Sequence, residues 1–327
     1  MIDALTTASP PLAPDALPNA RIGAKRRWHL VLNARSGASA DGALTASDLV
    51  TRLRAAGLDA DTGDDPEATL AQKVEAAIES GAEVIVAAGG DGTITAVASA
   101  LVGTDRTLAL LPLGTANLLA RDLGVPLDLD AAIAALATMA PKRIDVGEVN
   151  GTVFLHKIVL GFVPGLAAAR ERLRGRGFWA SFAFLRHFVR RVRRTRRISA
   201  HLTTGDGRRR VVRAAAIAVS NNAYDEGVGR FFCRSRLDGG SLGLYVLRRP
   251  GLFTMVKLAA GMLVGRWRRS EELWVGAAKS VVLRSRRRRL MLMIDGEVSG
   301  FSTPLKVRIR PQALSVLAPA AGPDASG

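Results

Sequence analysis

The chain has 327 residues, 48% of them hydrophobic, and carries a formal charge of +17 from 46 Lys and Arg against 29 Asp and Glu. This length is comfortable for two domains, and the apolar content suffices for real cores. The single Cys233 excludes an intramolecular disulfide and any cysteine-based zinc site, so a reducing compartment, the cytoplasm, is the economical expectation. The positive charge asks for an anionic partner, either nucleic acid or an acidic membrane surface.

In chain order, residues 1–24 combine prolines and acidic residues with no basic segment ahead of an apolar core, which reads as a disordered tail and not a signal peptide. Residues 25–147 then alternate short apolar runs with helical patterns. Strands are predicted at 29–32, 59–62, 83–88 and 107–111, and helices at 44–56, 66–80 (with Pro66 in the first turn) and 94–102. That rhythm predicts an α/β domain with a parallel sheet. Ligands of such sheets bind beyond the carboxyl ends of the strands, where Asn33, Gly89 and Pro112 fall.

Past Ile144 the character changes to hairpins. Asn150-Gly151 joins two strand-like runs, and Asp206-Gly207 separates 198–203 from 211–219. Residues 148–317 are therefore expected to form a β-rich second domain, with its last strands free to return to the first domain and with helical segments at 166–197 and 251–265. Residues 251–265 are the most apolar long stretch, but Lys257 interrupts them and they are too short to cross a bilayer, so no transmembrane helix is expected. The Ala/Pro/Gly/Ser-rich residues 318–327 read as a second disordered tail.

Three loops carry the chemistry. Gly89-Gly90-Asp91-Gly92-Thr93 follows the third strand and opens a helix, a setting in which bare backbone N–H groups hold phosphate. Asn33-Ala34-Arg35-Ser36-Gly37 follows the first strand, and Pro112-Leu113-Gly114-Thr115-Ala116-Asn117 the fourth. Each pairs glycine with a small hydroxyl or amide residue, as a phosphate cradle requires. Asp91 is the odd member, either a solvated turn carboxylate or a group that orients a nucleophile or a metal.

With Ile144-Asp145-Val146-Gly147, Leu237-Asp238-Gly239-Gly240 and Asp295-Gly296-Glu297, these loops form six motifs in an order that resembles the diacylglycerol kinase catalytic-domain family over roughly residues 27–317. The resemblance implies a nucleotide-binding α/β domain followed by a β-sandwich domain. It also implies transfer of the ATP γ-phosphoryl group, with Mg²⁺, to a lipid hydroxyl in the cleft between them. Asn33, Ser36, Gly37, Thr62, the turn from Gly89 to Thr93, Gly114, Thr115 and Asn117 then fall at nucleotide-contacting positions, and Arg121 near the phosphates. Glu297 matches the family's proposed general base, and Asp145 an acidic residue needed for activity. Phosphoryl transfer wants alignment, charge neutralisation and a carboxylate to take the hydroxyl proton.

The chain also departs from the family. Thr95 and Ala96 replace a common Asn-Glu pair, and Leu118-Leu119 stand where Asp-Phe is familiar. Gly239 occupies the family's metal-binding aspartate, which leaves Asp238 as the one carboxylate for a structural Mg²⁺ in the second domain and puts that site in doubt. Residues 161–165 lack the usual Gly-Phe-Asp pattern, so the acceptor lipid is open.

Residues 166–197 hold eleven arginines and one acid, interleaved with Phe178, Trp179, Phe182, Leu185, Phe188, Val189 and Val192. That pattern reads as a basic amphipathic helix lying on an anionic membrane, at the inner face of the membrane for a cytoplasmic protein. Two other readings stand beside the lipid kinase: an NAD kinase-like enzyme, which shares a GGDGT loop, and a basic nucleic-acid-binding protein. No recognised nucleic-acid motif accompanies the arginines, so no specific nucleic acid is expected. A homodimer is left open.

Overall fold

In the computed structural model the described residues are 26–33, 44–63, 65, 67–162, 164, 190, 197–228, 233–248 and 251–320. The basic segment 166–197, apart from its last residue and Arg190, lies outside them, as do Ser36, Gly37, Pro66, the first predicted tail and residues 321–327 of the second. The second tail is expected from 318, but Ala318 is the buried last residue of a strand, paired with Ala140.

The first half is an α/β domain built on a mostly parallel sheet. Strands β1 (Arg27–Leu32), β2 (Asp59–Asp61), β3 (Val84–Gly89) and β4 (Thr107–Pro112) run parallel in the order β2-β1-β3-β4. Every residue of β3 and β4 is buried, as continuous apolar runs in a sheet covered on both faces should be. Helices α1 (Ala46–Ala55), α2 (Leu70–Glu79), α3 (Asp91–Leu101), α4 (Leu118–Leu123) and α5 (Leu129–Leu136) cover them. Helix α2 starts later than the prolines and acids suggested. Thr69 and Gln72 form a reciprocal capping box, and a cap that satisfies two orphan N–H groups outweighs the preference of proline for a first turn. Helix α3 starts earlier, at Asp91, so the second half of the glycine motif is already its first turn.

The second half is an antiparallel β-sandwich. Its strands are β5 (Ala140–Val149), β6 (Thr152–Phe154), β7 (Lys157–Gly161), β8 (Ile198–Thr204), β9 (Arg209–Ala214), β10 (Ala216–Asn221) and β11 (Leu242–Leu247). They continue through β12 (Leu273–Ala278), β13 (Ser280–Ser285), β14 (Arg289–Ile294), β15 (Glu297–Ser302) and β16 (Leu305–Ala318), with α6 (Leu252–Leu263) between β11 and β12. One sheet runs β12-β11-β10-β7-β14-β15. The other is an extension of the parallel sheet: β16 lies parallel to β4 at Ser315–Val316 and antiparallel to β5 and β13, and β13, β8 and β9 follow. The sandwich core, with Phe154, Ile217, Leu244, Leu283 and Leu292, sits between the two sheets.

The Asn150-Gly151 hairpin forms as its sequence demands, both residues taking positive φ. The run 211–219 differs from expectation, because it is two strands and not one. Ala215 breaks it, with β9 in one sheet and β10 in the other. A corner where a strand changes sheets needs no turn residue, so an unbroken apolar run conceals it.

Candidate active site

The carboxyl ends of β1, β3 and β4 bring the three loops together. Asn33 Nδ2 donates to Thr93 Oγ1 at 2.9 Å, tying the first loop to the second. The second and third loops touch backbone to backbone. A Cβ on Gly114 would stand 2.6 Å from Gly90 Cα and 2.8 Å from Asn117 Oδ1, so Gly114 is required by close approach. Asn117, buried and in the left-handed region, closes its own loop by accepting from Gly114 N–H at 3.0 Å and donating to Gly114 O at 2.8 Å. Thr115 is exposed at the tip of that loop. Thr62 lies at the neighbouring strand end, its hydroxyl on Leu30 O at 3.2 Å. The result is a rim of glycine backbone and small polar side chains at the start of α3.

Asp91 has a defined task in this rim. Its Oδ1 accepts from Leu118 N–H at 2.7 Å, capping α4 from another element, because Asn117 gives no side-chain cap. Arg121, one turn along α4, donates through Nε to Ala116 O at 3.0 Å and braces the third loop.

The second half supplies the opposite wall. Asp295 and Gly296, both at positive φ, make the tight turn between β14 and β15, and Glu297 is the first residue after it. Glu297 Oε1 stands 3.2 Å from where a Cβ on Gly92 would be, so an exposed carboxylate from the sandwich hangs over the first turn of α3. Beside this contact the two halves leave a narrow cleft of only about 10 Å³, walled by Asp91, Leu118, Leu155, His156, Arg234 and Asp295.

Below Glu297 lies a charged layer. Asp295 does not reach the cleft as a free acid: its carboxylate accepts three backbone N–H groups, from Leu155 at 2.6 Å, His156 at 3.0 Å and Lys157 at 2.8 Å. Burial nonetheless pushes its pKa up, while those amides and Arg234 pull it down. Burial drives Lys157 the other way, to about 8, against the attraction of Asp295. Tyr224 hydrogen-bonds His156 Nδ1 at 3.1 Å, and its burial raises the phenol well above its ordinary value.

Arg234 is the centre of this layer. It is fully buried and pairs with Asp122 of α4 at 2.6 Å, while its Nη1 donates to Leu155 O and Asn221 O, both at 2.7 Å. Burial pushes the Asp122 carboxyl upward despite the guanidinium beside it. This pair, which binds the sandwich to the α/β domain, was not visible in the sequence. One arginine among so many carries no signal of its own, and its partner is 112 residues away.

Lys157 gives a pH prediction. Its folded pKa, about 8, lies below the 10.5 of a free lysine, so between these values the unfolded chain holds a proton that the folded one lacks. Stability therefore rises as pH rises from 8 toward 10, by at most about 1.4 kcal/mol per pH unit. Above pH 10 the raised Tyr224 acts in the opposite sense. Denaturant melts of wild type and Lys157→Met should diverge between pH 8 and 10, whereas parallel curves would contradict the assignment.

Asp145 is fully buried and accepts from Gly240 N–H at 2.6 Å and Gln312 N–H at 2.9 Å. It fastens the 237–240 loop to the irregularity in β16 between Arg310 and Leu314. The same loop does not fit a structural Mg²⁺. Asp238 is turned to Arg236 at 3.6 Å, a side chain at position 239 would collide with Asn222 Oδ1 at 2.8 Å, and among the described residues no group of three or more His, Cys, Asp or Glu is gathered for a metal. Likewise, no described helix is long and apolar enough to cross a membrane.

A nucleotide-type rim, an opposing carboxylate and a sandwich joined to the parent sheet define one class of protein. The diacylglycerol kinase catalytic domain matches residues 27–149, and the YegS C-terminal NAD kinase beta sandwich-like domain matches residues 164–318. The chain belongs to this lipid kinase family. A probable lipid kinase YegS-like protein of Pseudomonas aeruginosa PAO1 is 34% identical over 257 residues, 76% of this chain and 81% of that protein. Another of that name from Pseudomonas syringae pv. tomato is 40% identical over 141 residues, which are 42% of this chain but only 45% of the relative's length. The fold alone is shared with a crystal structure of a diacylglycerol kinase from Bacillus anthracis str. Sterne. Its TM-score is 0.65 at 19% identity, over 90% of this chain and 97% of that one.

Proposed function

We propose that the chain is an ATP-dependent lipid kinase, transferring the γ-phosphoryl group to a hydroxyl of a membrane lipid such as diacylglycerol or a sphingoid base. The observation that carries this reading is Glu297 Oε1 over Gly92, a proton acceptor placed at a phosphate-type helix start. Bound ATP would supply the phosphoryl group, with Mg²⁺ arriving on its phosphates.

The chain's own residues supply position and charge. Asn33 and Thr93 fix the rim, and the N–H groups of the Gly90–Thr93 turn face an anion with the favourable end of α3 behind them. Gly114 and Asn117 keep the third loop close to Gly90, and Arg121, exposed on α4, is the cation available to a phosphate. Asp91 holds α4 in place through Oδ1, and its other oxygen is the one available to a magnesium–nucleotide complex at the rim. Glu297 accepts the proton of the attacking hydroxyl, and Asp145 acts through backbone amides as a positioning residue. The basic segment 166–197 suits the anionic inner face of the membrane, which gives the protein access to an acceptor that stays in the bilayer.

One observation favours a second reading. The domain description that matches residues 164–318 also names NAD kinase, which shares the glycine-rich loop. Offering the protein Mg²⁺ and ATP together with vesicle-borne lipids and NAD separates the two. Phosphorylated lipid is the expected product, and NADP as the sole product would sink the lipid reading.

A further inference from the structure

Apart from Thr254 and Lys257, helix α6 is apolar, yet only one side of it is packed. Met255 and Leu258 rest on a small cluster with Phe162, Ala216 and Leu247, and Gly261 lies against the backbone at Trp267. The other side is in water: Phe253 is 80% exposed, Val256 59%, Leu263 62% and Val264 57%. At about 100° per residue these four positions fall with Ala260 on one stripe. Val228, 77% exposed, joins the same end, because Gly265 abuts the backbone of Gly227 and Val228. Of the eight large hydrophobics exposed among the described residues, five are in this patch. An exposed apolar patch of this kind marks a contact surface.

Charge says what contacts it. From Arg248 to Arg269 the sequence has six basic residues, Arg248, Arg249, Lys257, Arg266, Arg268 and Arg269, and no acid. Lys257 sits within the exposed stripe, where its stem can lie on apolar surface while the ammonium reaches outward. Beside the start of α6, between edge strands β9 and β12, is a groove of about 340 Å³ lined by Arg210, Val211, Arg213, Arg248 and Trp274. The Arg210 guanidinium lies over the Trp274 ring at 5.2 Å, and Arg210, Arg213 and Arg248 are all exposed. A protein partner would need a long acidic and apolar strip to match this. A bilayer provides both features at once, acyl chains for the stripe and phosphate headgroups for the arginine-lined groove.

We propose that α6 is a membrane-inserting element: Phe253, Val256, Leu263, Val264 and Val228 enter the boundary of an anionic leaflet while the Arg210–Arg213–Arg248 groove takes lipid headgroup phosphate. It is a different stretch of the sequence from 166–197 and shares no residue with the phosphoryl-transfer site, and it does not rest on the kinase reading. The step is physical docking with no bond made or broken.

The test uses the full chain without nucleotide, sedimented with vesicles of phosphatidylcholine alone or mixed with phosphatidylglycerol. Phe253→Ser/Leu263→Ser should partition into anionic vesicles at least about tenfold more weakly than wild type, since two large side chains no longer leave water. Arg210→Gln/Arg248→Gln should bind the anionic vesicles more weakly than wild type and change little on phosphatidylcholine. These side chains are exposed, so unchanged thermal melts are expected for both variants. Wild-type partitioning of the Phe253→Ser/Leu263→Ser protein overturns the proposal. So does a dimer that this variant converts to monomer with vesicle binding intact, because a second copy then covers the stripe. A kinase assay on detergent-dispersed lipid keeps the two readings apart: lost vesicle binding with retained transfer leaves the kinase reading standing, and retained vesicle docking without any transfer leaves this one.

Discussion

Glu297→Gln is expected to lower kcat for lipid phosphorylation by about 10²–10⁴-fold, with nucleotide affinity and thermal stability close to wild type. Glutamine keeps the size and the hydrogen-bonding reach of glutamate but cannot accept a proton at neutral pH. Glu297 is exposed at the start of β15, and its neighbours in the turn hold the hairpin without it: Asp295 is anchored on three amides and Gly296 supplies the positive φ. A loss confined to kcat therefore reports chemistry and not unfolding. If Glu297→Gln phosphorylates lipid at the wild-type rate under saturating ATP and Mg²⁺, another group takes the proton. A rise in KM alone would make Glu297 a binding residue.

The largest stability effect is expected at Asp122. Asp122→Asn should cost about 3–5 kcal/mol, because it leaves the Arg234 guanidinium buried without its counter-charge. Asp122 accepts from the Arg234 backbone N–H at 3.1 Å and from Nε and Nη2 at 3.0 and 2.6 Å, so one substitution disturbs three bonds. The upward push on the Asp122 carboxyl says that burial of this pair is itself costly. A double variant, Asp122→Asn/Arg234→Met, should accordingly recover part of the loss in denaturant melts. Equal or greater loss in the double variant would mean that the bonds from Arg234 to Leu155 O and Asn221 O, and not the ion pair, hold the two halves together.

The parallel sheet was legible because β3 and β4 are continuous apolar runs bounded by glycine and proline, a pattern few other arrangements explain. The loops at their ends were legible for the same local reason, and the structure places Asn33 on Thr93 and Gly114 against Gly90. What escaped depends on pairs far apart in the chain. Asp91 read as a group facing the nucleotide, yet one of its oxygens caps α4, a task created only when loops from β3 and β4 meet. The resemblance gave Asp145 only as an acid needed for activity, and that both of its oxygens are engaged by amides 95 and 167 residues away could not be read from it. The sheet change at Ala215 carries no turn residue to announce it. Glu297 could be named from its motif, but its closeness to Gly92 required the return of β16 to β4, which sets the sandwich against the first sheet.

The central claim is that the glycine-rich rim and Glu297 form one phosphoryl-transfer site for a lipid hydroxyl. The most direct measurement is a single-turnover reaction of the purified chain with γ-labelled ATP and Mg²⁺, in the presence of vesicles containing diacylglycerol and a sphingoid base, followed by solvent extraction. The expected result is label in an extractable phospholipid, dependent on Mg²⁺ and lost in Glu297→Gln. Label that never enters the lipid phase, while a protein of native stability binds both ATP and vesicles, would contradict it.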